Sequence, residues 1–276
     1  MKTILVPTDF SRIARNAAVY AAEFAMRSKS KLILMNVYHV PVVSSEVPIV
    51  LPVWENVEEN ALIALNRVKR SLIRKFGKEL QVECICQMGF GVDEIIKQFT
   101  EDKNIELIIM GMNGSGYLGE KIMGSNVTEL IKRSNCPVLV INHKTKFNPI
   151  KKIVLAFDYK KVPNASVFDL LKKITKLFKS QLLIVNVVDE LKKLPSIKKA
   201  VNGVNIDHLL EGINHSFHSV ENDDTIEGVN EFVSDTKAEM LVFIPHKHGF
   251  LSSIFHESNT KRMAFHSTIP MLALHD

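Results

Sequence analysis

Apolar positions along the chain follow two rhythms. Short aliphatic and β-branched runs, at 4–6, 32–37, 82–87, 107–110 and 138–141, are too brief for helices and read as strands. Between them, apolar residues recur at steps of three and four. Ile13, Ala17, Tyr20, Ala21 and Phe24 share one face of a helix capped by Ser11 and running to about Met26. Leu65, Val68, Leu72 and Phe76 form the stripe of a second helix over about Val57–Phe76, with Gly77 as its stop. Asp93–Phe99 falls in a third helix, and Val127–Lys132 opens a fourth. Residues 39–53, with Pro41, Pro48 and Pro52, read as a long loop that includes none of this periodicity. Short apolar strands alternating with helices predict a parallel sheet covered on both faces.

The pattern occurs twice. KTILVPTDFS near the start is echoed by KKIVLAFDYK at 151–160, and KLILMNV at 31–37 by QLLIVNV at 181–187. IELIIMGMNG at 105–114 parallels AEMLVFIPHK at 238–247, and GSNVTELIKRSNCPVLVI at 124–141 parallels ESNTKRMAFHSTIPMLAL at 257–274. The offset is 149–150 early and 133 late, so the second copy is shorter in its middle. Two domains are expected, 1–147 and 148–276, joined near NHKTKFNP.

Composition narrows the setting. With 46% hydrophobic and 24% charged residues, the 276-residue chain is ordinary for a globular protein. The net charge of +5 is spread thinly, without a Lys/Arg-rich block, so no nucleic-acid footprint is expected. Three cysteines make no disulfide framework and fit a reducing compartment. Cys84 and Cys86 alternate onto one strand face, where core packing outweighs redox chemistry. The N-terminus lacks the form of a signal peptide, and no apolar run reaches the ~18 residues of a membrane span. A cytoplasmic protein is expected.

The candidate chemistry lies in GMNGSGYLGEKIMGSNVTEL, where five of the 12 glycines fall in the 14 residues 111–124. Gly114-Ser-Gly116-Tyr-Leu-Gly119 matches the dinucleotide fingerprint, but it follows the fourth strand and residues 134–144 hold no acidic partner. GEKIMGSN resembles a P-loop, but Ser125 stands where the lysine should be. The reading that remains is a two-part anion cradle. Gly111 and Gly114 end a strand with bare backbone, and Gly124 and Ser125 open a helix whose amides and dipole favour an anion. A flexible loop followed by a serine cap stands beside it as the plain alternative.

Gly111-x2-Gly114-x9-Gly124-Ser125 resembles the ATP-binding motif of the universal stress protein family, and IKRSNCPVLVIN and ILVPTDFS are also typical of it. The resemblance covers the first copy throughout and the second more loosely. It implies two tandem Rossmann-like α/β domains, each a five-stranded parallel sheet with helices on both faces. It implies that Pro7, Thr8 and Asp9 line the adenosine pocket and that the Val37 backbone reads the adenine edge. The backbone of Met110, Gly111, Met112 and Gly114 would hold ribose and the inner phosphates, and Gly124, Ser125 and Asn126 the outer ones. Mg²⁺ is expected to accompany the ATP, although no carboxylate cluster points to it. Members of the family pair through their last strands, which here implies an internal pseudo-dimer through Val138–Ile141 and Met271–Leu274; a further homodimer stays open.

The second copy departs from the motif. Ile244, Lys247 and Glu257 replace the three glycines, while Asp158, Ser258 and Asn259 remain. One ATP site per chain is therefore expected. The second copy instead gathers His246, His248, His256 and His266 within 21 residues, with His215 and His218 upstream. Metal ligation by His246, His248 and His256 is one reading, a pH-sensitive contact a second, and scattered surface or cap histidines a third. Three functional classes follow. The first is an ATP-dependent regulatory protein of the stress response with an unknown protein partner. The second is a slow ATPase or self-phosphorylating enzyme, for which the motif offers no Walker lysine and no evident water-activating carboxylate beside the outer phosphates. The third is a scaffold indifferent to nucleotide.

Overall fold

The first strand shows how the sheet divides its side chains. In β1 (Thr3–Pro7), Ile4 and Val6 enter one apolar core and Leu5 the other. The computed structural model describes residues 1–39, 56–112, 125–159, 162–188, 197–245 and 269–276. The same alternation recurs in β4 (Leu107–Met112), where Leu107 and Ile109 face one core and Ile108 and Met110 the other. Strands buried on both faces need helices on both faces, and the near-continuous apolar runs are the sequence form of that burial.

The first half runs β1, α1 (Arg12–Ser28), β2 (Lys31–Tyr38), α2 (Val57–Phe76), β3 (Val82–Met88), α3 (Val92–Asp102), β4, α4 (Ser125–Arg133) and β5 (Val138–Asn142). The second runs β6 (Lys152–Ala156), a 3₁₀ turn at Ala165–Phe168, α5 (Asp169–Phe178), β7 (Gln181–Val188), α6 (Ile197–Leu209), β8 (His215–Glu221), α7 (Thr225–Thr236), β9 (Met240–Phe243) and β10 (Met271–Ala273). Residues of α1, α2, α5 and α6 join the first core, and residues of α3, α4 and α7 the second.

All ten described strands form one sheet, in the order β3-β2-β1-β4-β5-β10-β9-β6-β7-β8. Each half contributes five strands in the same relative order, parallel within the half. The halves meet where β5 and β10 pair antiparallel, with Leu139 opposite Leu272. This is the contact expected of the last strands. The halves also meet through aromatic rings: Phe147 of the connecting segment packs in tilted contact with Tyr20 (centroids 5.0 Å) and Phe178 (5.9 Å), and Phe24 meets Phe178 at 5.6 Å. The Arg27 guanidinium lies 5.0 Å from the Phe147 ring centroid, and the Lys173 Nζ reaches Glu106 Oε1 at 2.9 Å across the halves.

The duplication extends to fine detail. Phe10 and Tyr159 both take left-handed backbone (φ 64° and 55°), as do Lys29 and Lys179 at the ends of α1 and α5 (φ 52° and 54°). Glu106 accepts the Lys2 N–H at 2.7 Å, and Glu239 accepts the Lys152 N–H at the same distance. Helix ends follow their local chemistry. Ser11 caps α1 by accepting the Ala14 N–H at 3.1 Å, and Gly77 closes α2 at φ 97°. Burial raises the thiol pKa of Cys84 and Cys86 and pushes Cys136 up to about 12, so all three stay protonated at neutral pH. No helix among the described residues is long and apolar enough to cross a membrane.

Candidate functional site

A cleft of about 280 Å³ opens at the carboxyl ends of β1, β2 and β4. Open α/β sheets carry their ligands at this edge, because the loops leaving the strands diverge there. Its walls combine Pro7 at the end of β1, Thr8 and Asp9 just after it, Val37 on β2, Met110 and Gly111 on β4, and Asn126 in the first turn of α4. Residues as far apart in sequence as Pro7 and Asn126 are thereby brought onto one concave surface.

The β1 end is the most fully determined wall. The Thr8 N–H donates to the Met35 carbonyl at 2.8 Å, extending the β1–β2 ladder past the strand. The buried Asn36 side chain donates to the Thr8 carbonyl at 2.7 Å. Thr8 Oγ1 in turn accepts the Phe10 N–H at 3.1 Å, and Asp9 Oδ1 accepts the Ser11 N–H at 2.9 Å. Left-handed backbone is unfavourable at a bulky aromatic such as Phe10. These bonds hold the turn that carries Asp9, whose side chain is exposed to solvent and borders the cleft.

The β4 wall assigns Gly111 a role beyond leaving its amide bare. A Cβ there would stand 2.6 Å from Ile13 Cγ2 and 2.9 Å from the Ile13 carbonyl oxygen. The first turn of α1 therefore crosses β4 at a distance that only glycine permits. Ile13 itself lines the cleft. The strand also runs two residues further than its apolar pattern suggests, with Gly111 opposite Ile141 and Met112 opposite Asn142. Met112 does not line the cleft; its side chain is buried in the second core.

Ser125 begins α4, and the first amides of any helix lack intrahelical acceptors. Asn126 and Val127 present this end to the cleft. Gly114 and Gly124 lie outside the described residues, as do the metal candidates His246, His248 and His256 together with His266. Among the described residues no group of three His, Cys, Asp or Glu is placed to hold a metal. The upstream histidines have local partners: His215 bonds to Asp207 at 3.0 Å, and His218 to Ser216 at 2.8 Å.

Reasoning from motifs missed several lining residues, namely Ser11, Ile13, Ala14, Met35, Asn36, Val92 and Val127. Asn36 carried a readable signal. An Asn inside an apolar strand is disfavoured, and it recurs as Asn186 in the repeat. No lysine or arginine, and no aromatic ring, is among the described residues that line the cleft, and Asp9 is the one carboxylate among them.

Comparison with known proteins agrees with this architecture. The model of the universal stress protein family matches residues 1–142. A universal stress protein of Methanocaldococcus jannaschii is 31% identical over 156 residues, which span 52% of this chain and 96% of that protein. A universal stress protein of Synechocystis sp. is 30% identical over 149 residues, covering 51% of this chain and 85% of its own length. Over both halves, the crystal structure of a universal stress protein from Archaeoglobus fulgidus is similar with a TM-score of 0.70. That likeness covers 99% of this chain and 96% of the other at 16% identity, and concerns the fold alone.

Proposed function

Because the chain belongs to the universal stress protein family, we propose that it is an ATP-binding regulatory protein of the stress response whose N-terminal domain holds the nucleotide. The observation that carries this reading is the cleft itself, which unites Asp9, Val37, Gly111 and Asn126 on one surface. Adenosine fits the apolar wall made by Val37 and Met35, with the Asp9 carboxylate accepting from ribose or base. The phosphates belong at the opposite end, away from Asp9, on the free amides of α4 at Ser125 and Asn126. Gly114 and Gly124 complete the same cradle in this proposal. Mg²⁺ enters as the counter-ion of the triphosphate.

The division at 147/148 belongs to the same proposal, with the second domain lacking an equivalent cradle. Ile244 stands at the position of Gly111 and is 5% exposed, and Phe157, at the position of Thr8, is 6% exposed. Both side chains are packed into the core where the first domain opens its cleft.

The test begins with the purified full chain. Denatured protein should release adenine nucleotide, and stripped protein should bind ATP in a calorimetric titration with one site per chain. Gly114→Val and Gly124→Glu should each abolish binding while circular dichroism stays unchanged. Unaltered affinity in both variants refutes the cradle, and no binding by the unmodified chain refutes the nucleotide reading.

A further inference from the structure

The cleft has no aromatic ring in its described lining, yet a stacked aromatic pair joins the two chain segments that lead into it. His39 and Phe90 lie with ring centroids 6.0 Å apart and planes only 9° from parallel. Both are two residues from a lining residue: His39 follows Val37 along the end of β2, and Phe90 precedes Val92 at the start of α3. Phe90 is 76% exposed, and the neighbouring Met88 is 63% exposed. An aromatic ring left this open costs hydrophobic free energy that packing elsewhere would recover, so its position calls for a reason.

The backbone holds the pair in place. The Gly89 N–H donates to the Tyr38 carbonyl at 3.1 Å, joining the ends of β2 and β3. The Gly89 carbonyl is hydrogen-bonded to His39 Nδ1. A carbonyl accepts only, so Nδ1 carries the proton and the imidazole plane is fixed. A Cβ on Gly89 would meet the Ile95 side chain at 2.6 Å. The glycine thus lets the chain close down on α3, while the Phe90 ring remains exposed to solvent. Two rings fixed in parallel, beside a pocket walled by Val37 and Val92, form a surface suited to a third planar ring.

We propose that the His39–Phe90 pair is the base-stacking platform of the cleft, so that its ligand must carry a planar heteroaromatic base as well as phosphate. This rests on the nucleotide reading above and adds the residues that supply base affinity. Stacking is tolerant of base identity because every base offers a π face, so the platform contributes affinity for a nucleotide as a class. Discrimination among bases is left to the hydrogen-bonding groups near Asp9 and Val37.

The experiment compares ATP, adenosine and inorganic triphosphate on the unmodified chain, Phe90→Ala, Phe90→Trp and His39→Ala. Phe90→Ala should weaken ATP and adenosine by the same factor, roughly tenfold, and leave triphosphate unchanged. Phe90→Trp should retain ATP affinity, and ATP but not triphosphate should quench its emission beyond the response of Trp54 in the unmodified chain. His39→Ala, which removes the ring supporting Phe90, should weaken ATP and adenosine in the same sense without affecting triphosphate. ATP affinity within twofold of the unmodified chain in Phe90→Ala overturns the platform alone. An equal loss for ATP and triphosphate also overturns it, because that pattern marks a general distortion. If the unmodified chain binds neither ATP nor adenosine, the nucleotide reading and the platform fail together.

Discussion

Gly111→Ala separates two roles that one glycine can play, and the structure sets the size of the effect. The added Cβ would lie 2.6 Å from Ile13 Cγ2 and 2.9 Å from the Ile13 carbonyl oxygen. The methyl can rotate away, but the carbonyl moves only if the first turn of α1 moves. Overpacking of this kind costs about 1–3 kcal/mol. Replacing glycine at a position without positive φ recovers about 0.4–1 kcal/mol through the unfolded chain, so a net loss of about 1–2 kcal/mol is expected. Thermal unfolding of nucleotide-free protein should show it, since each kcal/mol lowers the midpoint by roughly 2–4 °C in a chain of this size class. Ile13→Ala in the same background should restore part of the loss, because it removes the methyl contact and leaves the carbonyl contact. A double-mutant cycle then gives a coupling of about 0.5–1 kcal/mol, in the range for residues in contact. If Gly111→Ala unfolds at the same midpoint without nucleotide and loses only ATP affinity, the packing argument is wrong and the glycine serves the ligand alone.

Three further outcomes are expected. Burial lowers the pKa of His275 below its ordinary 6.5 despite the hydrogen bond from Nε2 to the Ile131 carbonyl. The folded state thus binds the proton more weakly than the unfolded one, and stability should fall as pH drops from 6.5 toward the depressed value; His275→Gln should flatten that fall in urea titrations across about pH 5–7. Burial alone would raise the Glu106 pKa, but hydrogen bonds from Lys173 and the Lys2 N–H outweigh it and hold the carboxyl below 4.5. Lys173→Ala should therefore cost about 0.2–1 kcal/mol at neutral pH, a modest figure for a half-exposed pair, and the difference should shrink as Glu106 protonates under acid. Phe147→Ala, which removes the ring between Tyr20 and Phe178, should lower stability by about 1–3 kcal/mol, read by chemical denaturation, and an unchanged midpoint would show that the ring cluster does not hold the halves together.

The fold was legible in the sequence wherever one periodicity dominated. The second helix, expected over about Val57–Phe76, is found at Val57–Phe76, with Leu65 and Leu72 buried on its stripe. Strand ends were less legible. β4 continues through Gly111 and Met112 because β5 supplies partners at Ile141 and Asn142, and that partnership is invisible to local pattern. The motif residues at the β1, β2 and β4 ends converge as the βαβ order requires, so Asp9, Val37 and Gly111 were readable as neighbours. Asn36 showed only as a polar residue in an apolar strand, repeated at Asn186; its bond to the Thr8 carbonyl across two strands was not readable. Nor was the stacking of His39 on Phe90, since the pairing of those loops depends on the contact of Gly89 with Tyr38.

The two halves show how one position constrains a whole wall of the site. In the first, glycine at the end of β4 lets α1 begin at Arg12 and cross the strand through Ile13. In the second, the same strand end carries Ile244, buried in the core. By the repeat offset, the helix should then begin near residue 161, yet 162–164 are not helical and α5 starts only at Asp169, after the 3₁₀ turn. Two substitutions agree with that delay. Lys160 stands where Ser11 caps α1, and Pro163 stands where Ala14 donates its N–H to that cap. Proline has no N–H to give. A side chain at the strand end and an early helix turn would compete for one volume. The second half accordingly lacks the glycine, the capping serine and the donor together, so restoring glycine at 244 alone would leave a gap in the core without bringing the first helical turn back.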